Sequence, residues 1–251
     1  MAEIRQQLHH RFDAEVTALR LEAQISENET ALRQAKFDAR QSEIALVEYQ
    51  GSFFRFLNRF SEARRNKESE LERNVRLTRQ TLDDVTRQRE RLELEAEENR
   101  SRMEQLPQWE TLRRIAMENP ETATEFWRLE TLYCLTAVQP LLEENHADLT
   151  EYGKYLRGEY MGRLSSVEEI AEVQSAPGVS GTECRVWIER LREATAALEI
   201  PTGDWAFYDN PKGYIVTAAA HHNRLNLCRD ALEQNEDLQR FARRTKEKLE
   251  A

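Results

Sequence analysis

The fold is decided by two stretches with one shared pattern: residues 21–49, LEAQISENETALRQAKFDARQSEIALVEY, and residues 71–106, LERNVRLTRQTLDDVTRQRERLELEAEENRSRMEQL. In both, mostly apolar or small residues recur at alternating intervals of four and three. A mean repeat of about 3.5 residues, kept over several heptads, is typical of a left-handed coiled coil. We therefore predict two long helices that form an antiparallel coiled-coil hairpin, with the following positions on the two seams: Leu21, Ile25, Asn28, Leu32, Ala35, Ala39, Ser42, Leu46 and Tyr49, and Leu71, Val75, Thr78, Leu82, Val85, Arg89, Leu92, Ala96, Asn99, Met103 and Leu106.

The two seams match when residues whose numbers add to 117 are placed opposite each other. In this register Leu46 meets Leu71, and the polar Asn28 meets Arg89. A polar layer of this kind fixes the register of a coiled coil at some cost in stability. A slip by one heptad is the alternative, and it would separate Asn28 from Arg89.

Composition and charge agree with a solvated coiled coil. Of 251 residues, 33% are charged and 39% are hydrophobic, and no Gly or Pro lies between Ser52 and Leu106. The net charge of −10 is unevenly divided, because residues 1–106 carry 19 basic and 21 acidic groups and residues 107–251 carry 17 and 25. An acidic body disfavours general nucleic-acid binding by residues 107–251.

Beyond residue 106 the pattern predicts a second, all-helical domain. Asn119-Pro120 and Asn210-Pro211 are typical N-caps followed by Pro at the first helical position. Capping boxes at Ser165–Glu168 and Ser180–Glu183 predict separate helices on either side of Pro177-Gly178, and Pro140 predicts a kink or restart. Residues 204–209 are predicted to be irregular, with a small β-hairpin at 206–216 as the alternative.

These patterns predict an all-α protein with two domains. Residues 1–106 form the long antiparallel hairpin, with a tip at about 50–67 and a base at 1–17 that packs into the bundle. Residues 107–251 form the C-terminal helical bundle from which the hairpin projects. Because no apolar signal segment or membrane-length apolar run occurs, and Cys134, Cys184 and Cys228 lack metal-site spacing, we expect a cytoplasmic protein with free, buried thiols.

The hairpin tip is the first candidate binding site. Residues 51–67 contain five basic groups and one acidic group, together with four phenylalanines. Aromatic and Arg side chains dominate protein interfaces, stacked bases and phosphates use the same residues, and an anionic membrane surface is a third, weaker option. The alternative is that the phenylalanines only seal the bend. The candidate contact residues are Phe53, Phe54, Arg55, Phe56, Arg59, Phe60, Arg64 and Arg65.

A second candidate lies on the outer face of the first hairpin helix. Phe37 and Ile44 both fall at heptad position f, which faces away from the seam. Such a pair predicts a packing partner, and we assign it to self-association, with a homodimer as one expected outcome.

The sequence contains no strong motif for metal binding, nucleotide binding or nucleophilic catalysis. No His stands in HExxH or zinc-finger spacing, and no phosphate-binding loop or GxSxG nucleophile motif occurs. We therefore expect no enzyme activity, no cofactor and no metal. The aromatic segment 204–214, with Trp205, Phe207, Tyr208 and Tyr214, is expected to pack on the bundle, with a ligand pocket as the alternative.

The expected function is that of a non-enzymatic interaction, scaffold or adaptor protein that presents a coiled-coil arm to another protein or to a second copy. The alternative is a nucleic-acid-associated accessory factor that uses the basic tip only. Membrane binding is not expected.

Overall fold

The computed structural model describes residues 2–51, 62–160, 162–164, 166–215 and 221–250, with all their side chains except those of residues 62–65, 221 and 222. Every regular element in these ranges is helical. Seven α-helices and one 3₁₀ helix follow in this order: α1 Ala2–Gly51, α2 Glu62–Gln105, α3 Trp109–Ala116, α4 Pro120–Leu156, α5 Val167–Ala197, the 3₁₀ helix Ala206–Asp209, α6 Pro211–Tyr214 and α7 His221–Glu250. The all-α prediction is therefore confirmed for the described residues. The alternative β-hairpin at 206–216 is wrong where the chain is described, because this segment contains the 3₁₀ helix and α6.

Two helix starts agree with their sequence signals. The side chain of Asn119 accepts a hydrogen bond from the backbone N–H of Glu121 at 2.9 Å, and Pro120 is the first residue of α4. The side chain of Asn210 accepts from Gly213 N–H at 3.2 Å, and Pro211 begins α6. Each asparagine satisfies one of the backbone donors that a helix leaves free at its N-terminus.

The predicted break at Pro177-Gly178 is wrong, because α5 continues through it from Val167 to Ala197. Ser180 is an interior residue, and its hydroxyl donates to the carbonyl of Ala176 at 3.1 Å. Asn145 of α4 donates to the carbonyl of Pro177 at 3.0 Å. These side-chain bonds, together with burial of Pro177, stabilise a helix that loses one backbone donor to proline.

The start of α5 differs from the predicted capping box by one residue. Ser166 is the N-cap, and it exchanges hydrogen bonds with Glu169. Ser165, the first residue of the predicted box, lies outside the described residues. Pro140 also neither ends nor restarts a helix, because α4 runs unbroken from Pro120 to Leu156.

The chain divides into two compact units, which are described separately. The bundle unit contains Met1–Asp13 and Pro107–Ala251, and the two-helix unit contains Ala14–Leu106. In the bundle unit, Leu8 of α1 is buried with Leu112, Phe126 and Leu129 in a small apolar cluster. A larger cluster lies among α4, α5, the 3₁₀ helix and α7, and its largest buried side chains include Trp205, Phe207 and Tyr208.

In the two-helix unit, α1 and α2 make contacts between Ala14 and Glu43 of α1 and between Thr78 and Asn99 of α2. Residues nearer the C-terminal end of α1 contact residues nearer the N-terminal end of α2, as expected for antiparallel helices. The contacts are Ser42 Oγ with Thr78 Oγ1 at 2.8 Å, Glu43 with Arg79 at 2.7 Å, Asn28 Nδ2 with the Val85 carbonyl at 3.4 Å, Glu29 with Arg89 at 3.0 Å, and Asn99 Nδ2 with the Ala14 carbonyl at 2.9 Å.

The predicted layer of Asn28 and Arg89 does not form as a direct pair. Arg89 binds the carboxylates of Glu29 and Glu93, which lie nearer the solvent. Asn28 is 4% exposed, donates to the Val85 carbonyl, and has no partner for Oδ1 within the described part of the chain. A guanidinium is better solvated at the rim of the seam than inside it, which explains the separation.

None of the helices in the described ranges combines the length and the apolarity needed to cross a membrane.

Candidate functional site

Most of the predicted tip lies outside the described residues. This applies to Phe53, Phe54, Arg55, Phe56, Arg59 and Phe60. Arg64 and Arg65 belong to the first turn of α2, and their side chains are likewise not described. The tip therefore stays a prediction from the sequence.

The second predicted site is fully described and lies on α1. The side chains of Phe37 and Ile44 are 57% and 40% exposed, and Val47, which lies three residues beyond Ile44, is 67% exposed. On the opposite side of the same helix segment, Ala35 and Ala39 are buried at 6% exposure each. The helix therefore presents one face to α2 and a second apolar face to solvent.

These exposed residues have a regular spacing. Phe37, Arg40, Ile44 and Val47 follow intervals of three, four and three, which is the a/d pattern of a second coiled-coil seam. We call these four residues the outer stripe. The heptad pattern also places Val47 off the seam, at position b, whereas Arg40 joins the stripe only when the exposure of the whole face is known.

Charges flank the outer stripe in two blocks of opposite sign. Residues 33–40 carry three basic groups and one acidic group, a net charge of +2, and residues 41–48 carry two acidic groups, a net charge of −2. Lys36, Arg40 and Glu48 are exposed and form no ion pair within the described residues. Two other charges of the blocks are paired, since Arg33 contacts Glu29 at 4.0 Å and Glu43 binds Arg79 of α2.

The aromatic segment 204–214 belongs to the core of the bundle unit. Trp205 and Phe207 are fully buried, and the Trp205 indole donates to Asp237 at 3.3 Å. Tyr208 is buried and donates to Asn145 Oδ1 at 3.1 Å, while Tyr214 donates to Asp230 at 2.6 Å. These contacts agree with the expectation that the segment packs on the bundle.

The most deeply placed carboxylate of the bundle unit is that of Glu130, whose side chain is 9% exposed. Its two oxygens accept hydrogen bonds from Arg190 at 2.6 Å and from the Trp109 indole at 2.6 Å. The Arg190 guanidinium also lies over the ring of Trp187, with 5.1 Å between its central carbon and the ring centroid. Since both oxygens are occupied, we assign this cluster to the joining of α3, α4 and α5.

Potential metal ligands are dispersed in the described residues. No group of three or more His, Cys, Asp or Glu side chains lies close enough together there to hold an ion. In the described residues, His146 lies within ion-pair distance of one carboxylate, that of Glu236 at 3.7 Å. The side chains of His221 and His222 are outside the description.

Comparisons of this chain with protein-family models, with curated proteins and with solved structures found no match.

Proposed function

We propose that the protein is a non-enzymatic interaction protein whose residues 14–106 form an antiparallel coiled-coil hairpin, and that the hairpin self-associates through the outer stripe. The observation that supports this most directly is the exposure of Phe37, Ile44 and Val47 at heptad spacing on a face that α2 does not cover. Exposed apolar residues are ordinary when scattered, but a regular row on one helix face is typical of an interface.

The partner we propose is a second copy in antiparallel orientation. In that orientation the +2 block of residues 33–40 lies beside the −2 block of residues 41–48 of the other copy. A parallel pair would instead place like charges together, which destabilises association. The antiparallel arrangement also places Phe37 opposite Val47 and Arg40 opposite Ile44, so each a position meets a d position.

The expected association is weak. The stripe contributes three apolar side chains per copy over 11 residues, whereas stable interfaces bury roughly 1,200–2,000 Å² in total. Arg40 at a d position adds a desolvation cost but favours one orientation. A concentration-dependent equilibrium between monomer and dimer, with a dissociation constant in roughly the micromolar range or weaker, is therefore expected.

Sedimentation equilibrium of the whole chain over a wide concentration range tests the proposal. The wild type is expected to shift from monomer to dimer, and the double variant Phe37→Glu/Ile44→Glu is expected to remain monomeric. Higher salt and the single variant Arg40→Glu should each weaken the dimer, because both reduce attraction between the opposite charge blocks.

The matched control is Leu77→Glu/Leu94→Glu, which places two acidic residues at exposed apolar positions of α2, where Leu77 and Leu94 are 50% and 61% exposed. This variant should dimerise as the wild type does. A wild-type chain that stays monomeric at all concentrations would overturn self-association. Equal loss of dimer in both double variants would place the contact away from the outer stripe.

The alternative function, a nucleic-acid accessory role for the basic tip, depends on residues outside the described ranges. It stays a prediction from the sequence and is tested by salt-dependent binding of a single-stranded oligonucleotide that is lost in Arg55→Ala/Arg59→Ala.

A further inference from the structure

A cavity with a volume of about 460 Å³ lies in the bundle unit, bordered by residues of α4, α5 and α6. Its floor includes the buried residues Tyr152, Pro177 and Ile215. Its rim includes the exposed side chains of Val179 and Lys212. The volume lies within the usual range for small-molecule sites.

Two glycines of α5 allow α6 to form one wall of this cavity. A Cβ atom on Gly178 would lie 3.1 Å from Cα of Lys212, and a Cβ atom on Gly181 would lie 2.8 Å from Cβ of Pro211. A larger residue at either position would push α6 away from α5. Because close packing of α6 on α5 holds the wall in place, the fold of the bundle itself builds the cavity.

The lining of the cavity is mainly apolar, and its polar side chains already have partners. Gln174 Nε2 donates to the Tyr155 hydroxyl at 2.9 Å, and the Ser175 hydroxyl donates to the Ala171 carbonyl at 2.8 Å. These two groups therefore gain little from a ligand. The apolar surface beside them gains free energy when a ligand covers it, so the body of a fitting ligand is apolar.

The charge of the lining comes from Lys212. Its ammonium forms no ion pair or hydrogen bond within the described part of the chain, and no Asp or Glu is among the described residues that border the cavity. Acidic groups outnumber basic groups in this chain, which has a net charge of −10. A cation at the rim of an apolar cavity, with no acidic group in the same lining, complements an anionic group on the ligand.

An adjoining cavity of about 480 Å³, which Tyr152, Gln174 and Arg224 border, offers no comparable cation. Arg157 also borders it but binds Glu159 at 2.7 Å, and Arg224 has a partner as well. A ligand site is therefore argued only for the cavity beside Lys212.

We propose that this cavity binds a small aromatic anion, with its ring system against Pro177, Val179 and Ile215 and its negative group beside Lys212. A flat, rigid body loses little conformational entropy on binding. The negative group stays at the rim in contact with water, so its desolvation costs little. Because Lys212 is exposed, its charge raises the affinity only about fivefold, and the apolar body contributes most of the binding.

The probe is 2-naphthoate, and methyl NMR of the whole chain is the measurement. Addition of 2-naphthoate should shift the methyl signals of Val179 and Ile215 in a saturable manner. Its uncharged analogue 2-naphthamide has the same ring system and should bind about fivefold more weakly. Acetate has the charge without the ring system and should cause no saturable shift.

Two variants and a control locate the site. Lys212→Gln should weaken binding of 2-naphthoate about fivefold and leave that of 2-naphthamide unchanged, because only the acid uses the ammonium. The matched control is Lys248→Gln, which removes an exposed lysine charge from α7 and should leave both affinities unchanged. Ala171→Trp enlarges an exposed residue at the cavity wall and should abolish binding of both compounds.

The proposal is overturned if 2-naphthoate causes no saturable shift, or if it binds equally well to Ala171→Trp. Equal affinity of the acid and the amide for the wild type, or an equal loss in Lys212→Gln and Lys248→Gln, would also overturn it, because Lys212 would then not recognise the anionic group. Since Ala171 and Lys212 are exposed, their variants remove no core contact. The outer stripe belongs to the other unit, so these outcomes do not depend on self-association.

Discussion

Two asparagines of the bundle unit and Asn28 of the two-helix unit are all buried, but their polar atoms are not satisfied to the same extent. In the bundle unit, Asn145 and Asn235 are fully buried and every polar atom of both side chains has a partner: Asn145 binds Pro177, Ser180 and Tyr208, and Asn235 binds Leu142, Tyr208 and Gln239. In the two-helix unit, Asn28 is nearly as buried, but its Oδ1 has no partner in the described residues.

The difference follows from the number of neighbouring elements. Asn145 lies where α4, α5, the 3₁₀ helix and α7 supply donors and acceptors from several directions. A seam between two helices offers a buried side chain one facing helix, whose backbone groups are already bonded within it. Packing from several sides therefore satisfies Asn145 completely, whereas the single facing helix leaves Oδ1 of Asn28 without a partner in the described residues.

The same substitution, Asn to Leu, made in each unit tests this difference most directly. Asn145→Leu should destabilise the bundle unit by roughly 3 kcal/mol or more, because it leaves the Tyr208 O–H without its acceptor and the Pro177 carbonyl without its side-chain donor, and so disrupts a connected network. Hydrogen exchange resolved along the chain measures the effect within each unit. A loss below about 1 kcal/mol would show that the network adds little to stability.

The matched variant Asn28→Leu should have the opposite sign. Replacing a half-satisfied amide with an apolar side chain should stabilise the two-helix unit by about 1 kcal/mol, at the cost of a less strictly specified register. The same exchange experiment measures it in α1 and α2. If protection falls instead, Asn28 has a partner that the described residues do not contain.

The ion pairs of the two units can also be compared, by the dependence of stability on pH. The hydrogen bond to Arg128 holds the pKa of Glu125 below its ordinary value of 4.5, against the opposing effect of burial, and His9 adds a smaller contribution. A carboxylate with a depressed folded pKa contributes stability above its unfolded pKa, and that stability is lost as the pH falls through the folded pKa. Glu125→Gln should therefore destabilise the bundle unit at neutral pH by less than about 1 kcal/mol. The difference from wild type should begin to shrink as the pH falls below about 4.5 and should vanish below the lower, folded pKa.

The control for this measurement is Glu43→Gln in the two-helix unit. Glu43 and Arg79 are 44% and 63% exposed, so water and salt screen their attraction. Its effect on unfolding at neutral pH should be smaller than that of Glu125→Gln. A larger effect would mean that the exposed pairs, and not the apolar seam, hold α1 and α2 together.

The smallest expected change concerns the hydroxyl pair in the seam. Ser42 and Thr78 bind each other at 2.8 Å, but each hydroxyl also lies within hydrogen-bond distance of a carbonyl of its own helix, those of Ala39 and Asn74. Because either hydroxyl keeps a partner when the other is removed, Ser42→Ala should change stability by about 0.5 kcal/mol or less. Thermal unfolding followed by circular dichroism measures this, and a loss above about 1 kcal/mol would contradict it.

Regular spacing and local caps were the predictable part of this fold. The heptads predicted two long helices, and Asn119-Pro120 and Asn210-Pro211 predicted helix starts, because each signal lies within a few residues of its effect. The break at Pro177-Gly178 was wrong for the opposite reason. Asn145, 32 residues away, supplies the bond to the Pro177 carbonyl, and a Cβ on Gly181 would approach Phe207 and Pro211 within 3.0 Å, so this glycine serves close packing and not a turn.

The candidate sites also differ in whether the sequence could predict them. Phe37 and Ile44 could be predicted as outward-facing because a heptad position fixes the direction of a side chain. The cavity of about 480 Å³ that Tyr152, Gln174 and Arg224 border could not be predicted, because these residues come from three helices and share no local pattern. Only the tertiary packing brings them together.

The three thiols provide the chain with an intrinsic reporter of opening. Cys134, Cys184 and Cys228 are all buried and free, and all belong to the bundle unit. Burial, the leading cause in each, raises the pKa of Cys184 to about 12 and that of Cys228 to about 11, and it raises the pKa of Cys134 as well. Since the thiolate is the reactive form, a thiol reagent at neutral pH should modify the chain only as often as the bundle unit opens. Separation of α1 from α2 exposes no thiol. The rate of labelling therefore reports the opening of the bundle unit and does not report the unfolding of the two-helix unit.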